Sequence, residues 1–272
     1  MIPKKFKTAY VMSFVILGLA LLESAGGLLF PGLFRDNPYV VAAFRGNDLV
    51  TLFLAAPVLA WALCATARGS LRAQLVWMAM LGYMIYNYAF YLFGTAFNAF
   101  FLVYVALMSL SILALIFSAP RLDVGVIAAS VRRQTPVRGI AVWMVLFGGM
   151  LGSIWVMQSL NYIFTGVVPT SIDQFDHPTS IVFALDLGLL IPFLLLGAVL
   201  LWQRNPWGYV LGVAMNVKST TYALALIAMS WFANDFDLAA AFDPLTIFFS
   251  LLGVGTVTAS VLLLGNMQVG KK

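Results

Sequence analysis

The sequence is poor in the side chains from which most enzyme centres and disulfide scaffolds are built. Among its 272 residues there is one cysteine and one histidine. A lone Cys64 excludes an intrachain disulfide framework and a cysteine-rich metal site. A lone His177 excludes bis-histidine haem ligation and HExxH-type metal chemistry. No Walker loop is present, and no serine sits in a G-x-S-x-G elbow. Charge is scarce as well. Charged residues make up 9% of the chain, against about 25% in a soluble domain.

What the chain has is apolar surface. Hydrophobic residues make up 62% of it, and long apolar runs recur along its whole length. One soluble core cannot absorb so many, so lipid is the expected solvent. The fold class is all-α, a polytopic membrane protein whose first partner is the lipid bilayer. The net charge of +5 does not point to nucleic acid, because the basic residues stand in short loops between apolar runs. The start, MIPKKFK before an apolar run, resembles a signal peptide. That run continues from Ala9 to Phe30, and Glu23 stands where small residues should precede cleavage, so the first helix is expected to be retained.

A membrane-length window predicts eight spans, near 9–30, 49–67, 73–94, 98–120, 140–166, 179–203, 209–233 and 245–267. With both termini in the cytoplasm, twelve basic residues lie inside: Lys4, Lys5, Lys7, Arg68, Arg72, Arg121, Arg132, Arg133, Arg138, Arg204, Lys271 and Lys272. Only Arg35 and Arg45 lie outside. The acids mirror this, with Asp36, Asp48, Asp173, Asp176, Asp235, Asp237 and Asp243 external and Asp123 internal. The positive-inside rule therefore places the protein in the cell (inner) membrane with cytoplasmic ends. Residues 31–48 mix aromatics with charge and read as an external interfacial loop or short helix. Residues 121–139 read as a basic cytoplasmic segment.

Fragments of the first four spans recur in the last four. Leu22-Glu23-Ser24 parallels Met157-Gln158-Ser159, and Asp36-Asn37-Pro38 parallels Asp176-His177-Pro178. Pro57 parallels Pro192, Asn87-Tyr88-Ala89 parallels Thr221-Tyr222-Ala223, and Ala96-Phe97-Asn98 parallels Ala241-Phe242-Asp243. Two four-helix repeats, residues 1–130 and 131–272, are expected. Each has an even number of spans, so the copies would share one orientation about an axis along the membrane normal.

Ionisable groups within spans are costly and mark candidate sites. Three occur, Glu23, Asp186 and Lys218. A bridge between Lys218 and Asp186 looks unfavourable. Measured from the predicted inner ends they lie roughly 14 and 25 Å deep, and their side chains lean apart. Glu23, at roughly 21 Å, is the nearer partner for the lysine. Span 3 adds Tyr83, Asn87 and Tyr91 on one face with Tyr86 beside it, and span 7 adds Asn216 and Tyr222. Gln158 and Asn161 on span 5 are expected to face the same cavity. Snorkelling of Lys218 to the headgroups and solvation of Asp186 at the outer face are the plainer alternatives.

These residues suggest a transporter or channel-like protein that binds a small polar or anionic solute in a midplane cavity, with proton coupling. One competing reading is a membrane subunit, whose polar residues serve packing against a partner or another copy. Another is a pigment- or lipid-binding protein. A retinal Schiff base on Lys218 is disfavoured by eight spans and by the absence of an acid level with the lysine. No nucleophile with an adjacent base points to an enzyme, and no cofactor is named by the sequence.

Overall fold

The computed structural model describes residues 4–234 and 244–268. Asp235, Asp237, Asp243, Lys271, Lys272 and the fragment Ala241-Phe242-Asp243 lie outside those residues. Among the described residues, eight helices are long and apolar enough to cross a membrane. They are α1 (Lys7–Leu29), α2 (Pro38–Ala67), α3 (Leu71–Gly94), α4 (Phe101–Arg121), α5 (Val137–Thr165), α6 (Ile181–Trp202), α7 (Pro206–Ala233) and α8 (Pro244–Gly265). The basic residues Arg68, Arg72, Arg121 and Arg204 stand at the junctions of one end of the bundle, called here the basic end. There Arg72 donates to the Met267 carbonyl, Arg204 to that of Arg133, and Val131 bridges Met267.

Helix starts follow from capping. Asn37, Ser70, Ser180 and Asn205 each accept a backbone N–H from the first turn, and Pro38 and Pro206 occupy first positions where a missing N–H costs nothing. The cap at Asn37 corrects one expectation. Of the interfacial loop or short helix expected over 31–48, residues 38–48 are helical, but as the first turns of α2, which spans Pro38–Ala67, and not as a separate element. Asp48 is therefore enclosed in the bundle, fully buried, because its carboxyl has partners there.

Polarity decides which helices are central. α3 and α7 have the lowest mean hydropathy, 1.2 and 1.4, against 1.9 to 2.4 for the other six. They are also the most enclosed. Some 78% and 56% of their most apolar stretches are buried, and no other helix exceeds 44%. Helices carrying polar groups gain by leaving the periphery to apolar ones, since hydrocarbon leaves backbone and side-chain dipoles unsatisfied. α1 packs on α2 and α4, and α3 on α2 and α4. In the second half α5 packs on α6 and α8, and α7 on α6 and α8. The halves meet through α3 with α7, α2 with α7, and α3 with α6.

Local features recur at a constant interval of 135 residues. A π-helical turn occupies Thr51–Ala55 in α2 and Asp186–Leu190 in α6. Each is followed by a proline, Pro57 and Pro192, which has no N–H and clashes with the carbonyl four residues back. A widened turn just before it relieves that conflict. Both helices then end in a residue of positive φ, Gly69 (87°) and Arg204 (53°), followed by the caps Ser70 and Asn205. The inter-half contacts cross in the same register. A Cβ on Gly46 of α2 would stand 2.5 Å from the Met229 nitrogen of α7, and one on Gly94 of α3 would stand 3.2 Å from Ile181 of α6.

Candidate functional site

Two buried polar clusters lie along α3, the first shared with α6 and α7 and the second with α1 and α2. The first is centred on Lys218, which is 4% exposed and so does not snorkel. Its Nζ lies 3.3 Å from the Tyr86 ring centroid and 4.4 Å from that of Tyr222. Tyr222 stands one turn beyond Lys218 on α7. Side chains on a helix lean toward its N-terminus, which brings that ring over the amine. Cation–π contacts in a desolvated site contribute about 2 kcal/mol or more.

Both tyrosines hand the interaction on to Asp186. Tyr86 donates to Oδ1 at 2.6 Å, Tyr222 to Oδ2 at 3.0 Å, and the Trp155 indole to Oδ2 at 2.9 Å. Asp186 is fully buried rather than solvated at the outer face. Lys218 makes no direct bridge to Asp186, as the depth argument expected, but the two tyrosines join it to Asp186 and not to Glu23. That argument placed the start of α7 three residues too late and required direct contact. From the observed basic ends of the two helices, Trp202 and Pro206, the groups differ in depth by roughly 6 Å, and the tyrosine rings fill that interval. Lys218 Nζ itself has no hydrogen-bond partner.

The second cluster pairs Glu23 of α1 with Asp48 of α2. Both carboxyls are fully buried and are held by neighbouring tyrosines of α3. Tyr88 and Ser24 donate to Glu23 Oε2 at 3.1 and 3.4 Å. Tyr91 donates to Asp48 Oδ1 at 2.6 Å, and Tyr83 shares a 2.6 Å hydrogen bond with Thr51 close by. Gly27 makes room, since a Cβ there would overlap the Asp48 carboxyl. Two carboxyls gathered in a dry site repel if both are ionised, which favours holding a proton on one of them. Glu23 Oε1, Asp48 Oδ2, the Asn87 amide nitrogen and the Tyr104 hydroxyl have no hydrogen-bond partner.

The structure thus divides the expected site. Lys218, Tyr86, Tyr222 and Asp186 come together; Glu23, Tyr83 and Tyr91 form the other cluster with Asp48. Asn87 and Asn216 are buried on α3 and α7, and Asn216 donates to the Gly212 carbonyl. Gln158 accepts from Ser171. Asn161 is exposed on α5 and does not line either cavity, because the last turns of α5, residues 159–165, are exposed on every face. The sequence reading missed Asp48, Tyr88 and Trp155. A signal for Asp48 existed in the apolar run YVVAAF before it, which continues as helix.

Two cavities flank the Lys218 cluster along the bundle axis. One, of about 220 Å³, extends toward the end opposite the basic end and is lined by Trp155, Tyr222, Gln158, Phe183 and His177 among others. The other, of about 230 Å³, extends toward the basic end, is bounded by Tyr86 and Lys218, and opens at the bundle surface between the exposed Leu189, Phe193 and Trp207. Along α7 the first runs from Tyr222 outward and the second from Trp207 to Lys218, so the cluster is the partition between them. Among the described residues no group of three His, Cys, Asp or Glu side chains is arranged to hold a metal ion. Compared with known proteins, the chain matches no family profile, and no curated protein or solved structure is detectably similar to it.

Proposed function

We propose that this chain is a multi-pass protein of the cell (inner) membrane, with both termini cytoplasmic, that moves a small anionic solute between its two four-helix halves. The observation that carries this reading is the position of Lys218. A buried cation, held by tyrosine rings against one carboxylate, forms the partition between two cavities stacked along the bundle. A partition that can exchange its contacts exposes the cation to one cavity and then the other, as alternating access requires.

An internal duplication supports the same reading. The paired π-turns, prolines and caps share the 135-residue interval, and the Gly46–Met229 and Gly94–Ile181 contacts are exchanged by it. Reciprocal contacts of that kind are what a two-fold axis generates. The axis would run along the membrane normal between α3 and α7, beside Lys218. The halves have diverged at their centres. Tyr83 occupies the position of Lys218 and Thr51 that of Asp186, leaving one charged partition and one carboxyl pair.

The test is flux in proteoliposomes with a trapped pH dye and a panel of membrane-impermeant small anions. Anion-dependent proton uptake is expected in the native protein and not in Lys218→Met, with the helical circular dichroism of both unchanged. The reading is refuted by proton movement no greater than in protein-free vesicles for every anion, or by flux that Lys218→Met leaves intact.

A further inference from the structure

The basic-end cavity is not the polar chamber that a small hydrophilic solute would need. Met78, Leu115, Leu190, Phe193, Leu211 and Met215 contribute to its walls, and at its deep end it meets Tyr86 and Lys218. Among the described residues that line it Lys218 is the sole charged one, and its amine lies buried against the Tyr86 ring at the deep end. Its three N–H groups find no acceptor, since Nζ is buried and makes no hydrogen bond. Asp186 supplies a counter-charge, but its oxygens are already engaged by Tyr86, Trp155 and Tyr222. The amine therefore has charge balance without hydrogen bonding, at the end of an apolar pocket. A ligand suited to this place is long, apolar, and ends in an acceptor oxygen.

Size and charge narrow the class. A dry cavity of about 150 Å³ takes a benzene, so one of 230 Å³ takes roughly nine heavy atoms. Lys218 and Asp186 sum to zero, and adding a bare carboxylate would leave a net charge in a dry site, which is strongly unfavourable. Asp186 is the carboxylate that faces the lysine. Of the other charged groups on helices packed against α7, Asp48 on α2 turns to Tyr91 and Arg72 on α3 to the Met267 carbonyl. Arg45 lies on α2 near the opposite end, and α8 carries no charge. Tyr86 and Tyr222 are the remaining titratable groups in contact with the amine. Nothing else compensates a new anion.

We propose that the basic-end cavity binds a medium-chain monocarboxylate, its head on Lys218 Nζ and its tail among the apolar walls, and that each ligand enters with one proton. This rests on the transport reading above and specifies its solute. The proton is taken from solvent and carried on one of the two carboxyls, the ligand's or that of Asp186, so the occupied site is as neutral as the empty one.

The experiment is equilibrium dialysis of radiolabelled octanoate against the full chain in nanodiscs, with empty nanodiscs as background. One saturable site per chain is expected, with octan-1-ol and octylammonium competing at least tenfold less well. Affinity should rise about tenfold for each unit of pH lowered above the ligand's own titration, the slope of one coupled proton. Lys218→Met should lose binding at least tenfold. Gly82→Leu should lose it too by filling the pocket, and it is expected to fold, because a Cβ at Gly82 meets nothing within 4 Å. Binding equal for octanoate and octan-1-ol and indifferent to Lys218→Met would identify a crevice for lipid acyl chains and overturn the proposal. Absence of a saturable site would also overturn it, and a flat pH dependence would remove the proton. If octanoate fails while other anions still show Lys218-dependent flux, the solute class is wrong and the transport reading stands. If both fail, both are wrong.

Discussion

Removing Asp186 should expose how the central cluster is balanced. In Asp186→Leu the lysine loses its one counter-charge, and the Tyr86, Trp155 and Tyr222 donors lose their acceptor in a closed site. Breaking one member of a buried pair costs about 3–5 kcal/mol, and each orphaned donor about 1–3 kcal/mol where nothing relaxes. A loss of at least about 3 kcal/mol is expected, since Tyr86 and Tyr222 can rotate toward the cavities they line. Lys218→Met should cost less, about 1–2 kcal/mol, because the carboxylate keeps its three hydrogen bonds and loses chiefly the cation's field and the ring contacts. The double variant should recover part of the first loss, giving a coupling of about 2 kcal/mol, within the range for neighbouring charged groups. Reversible unfolding of the four proteins in mixed micelles, followed by tryptophan fluorescence, measures the cycle. Strict additivity, or an Asp186→Leu effect within about 0.5 kcal/mol of zero, would mean that Lys218 and Asp186 are independent and that the tyrosine bridge carries nothing.

Other consequences can be measured in the same preparations. Gly27→Ala should destabilise by about 1–3 kcal/mol, because its methyl overlaps the Asp48 carboxyl, whereas Gly18→Ala, with open space at its Cβ, should be neutral or slightly stabilising. The infrared band of a protonated carboxylic acid should be present in the native protein near neutral pH and lost in Glu23→Gln or Asp48→Asn; an unchanged band would show that no proton is shared there. Gly46→Ala should cost more than Gly94→Ala, since the first methyl meets the backbone of Met229 and the second only the end of the Ile181 side chain. Equal effects would place the tight approach between the halves elsewhere.

Much of the architecture could be read from one sequence because hydrophobic length is a coarse quantity. Seven of the eight span starts fall within a few residues of the observed helices, and the exception has a physical cause. In α2 the residues Arg45, Asn47 and Asp48 made an enclosed stretch look like an interfacial loop or short helix, since hydropathy does not register partners. Asp48 is accommodated by Glu23, Tyr91 and the missing side chain of Gly27, on two other helices. The importance of Lys218, Asp186 and the tyrosines was legible, but their pairing was not. Depth along a helix axis ignores rings that bridge several ångströms, and it ignores which face a helix turns to its neighbour. Asn161 failed for another reason: the last turns of α5, residues 159–165, are exposed on every face, so no neighbour covers any side of that stretch.

The π-turns at Thr51–Ala55 and Asp186–Leu190 have a consequence for how α2 and α6 present themselves. Each holds one residue more than an α-helical turn, and one residue corresponds to roughly 100° of rotation. The stripes before and after each turn are therefore out of phase by about that angle. Above its slip α2 shows Gly46 to α7 and Asp48 to Tyr91; below it, Leu59 and Leu63 face inward where an unbroken helix would have aimed other residues. In α6 the slip begins at Asp186 itself, so the carboxylate stands at the seam between two helical screws. Its direction is set by the turn that follows as well as by the tyrosines that hold it.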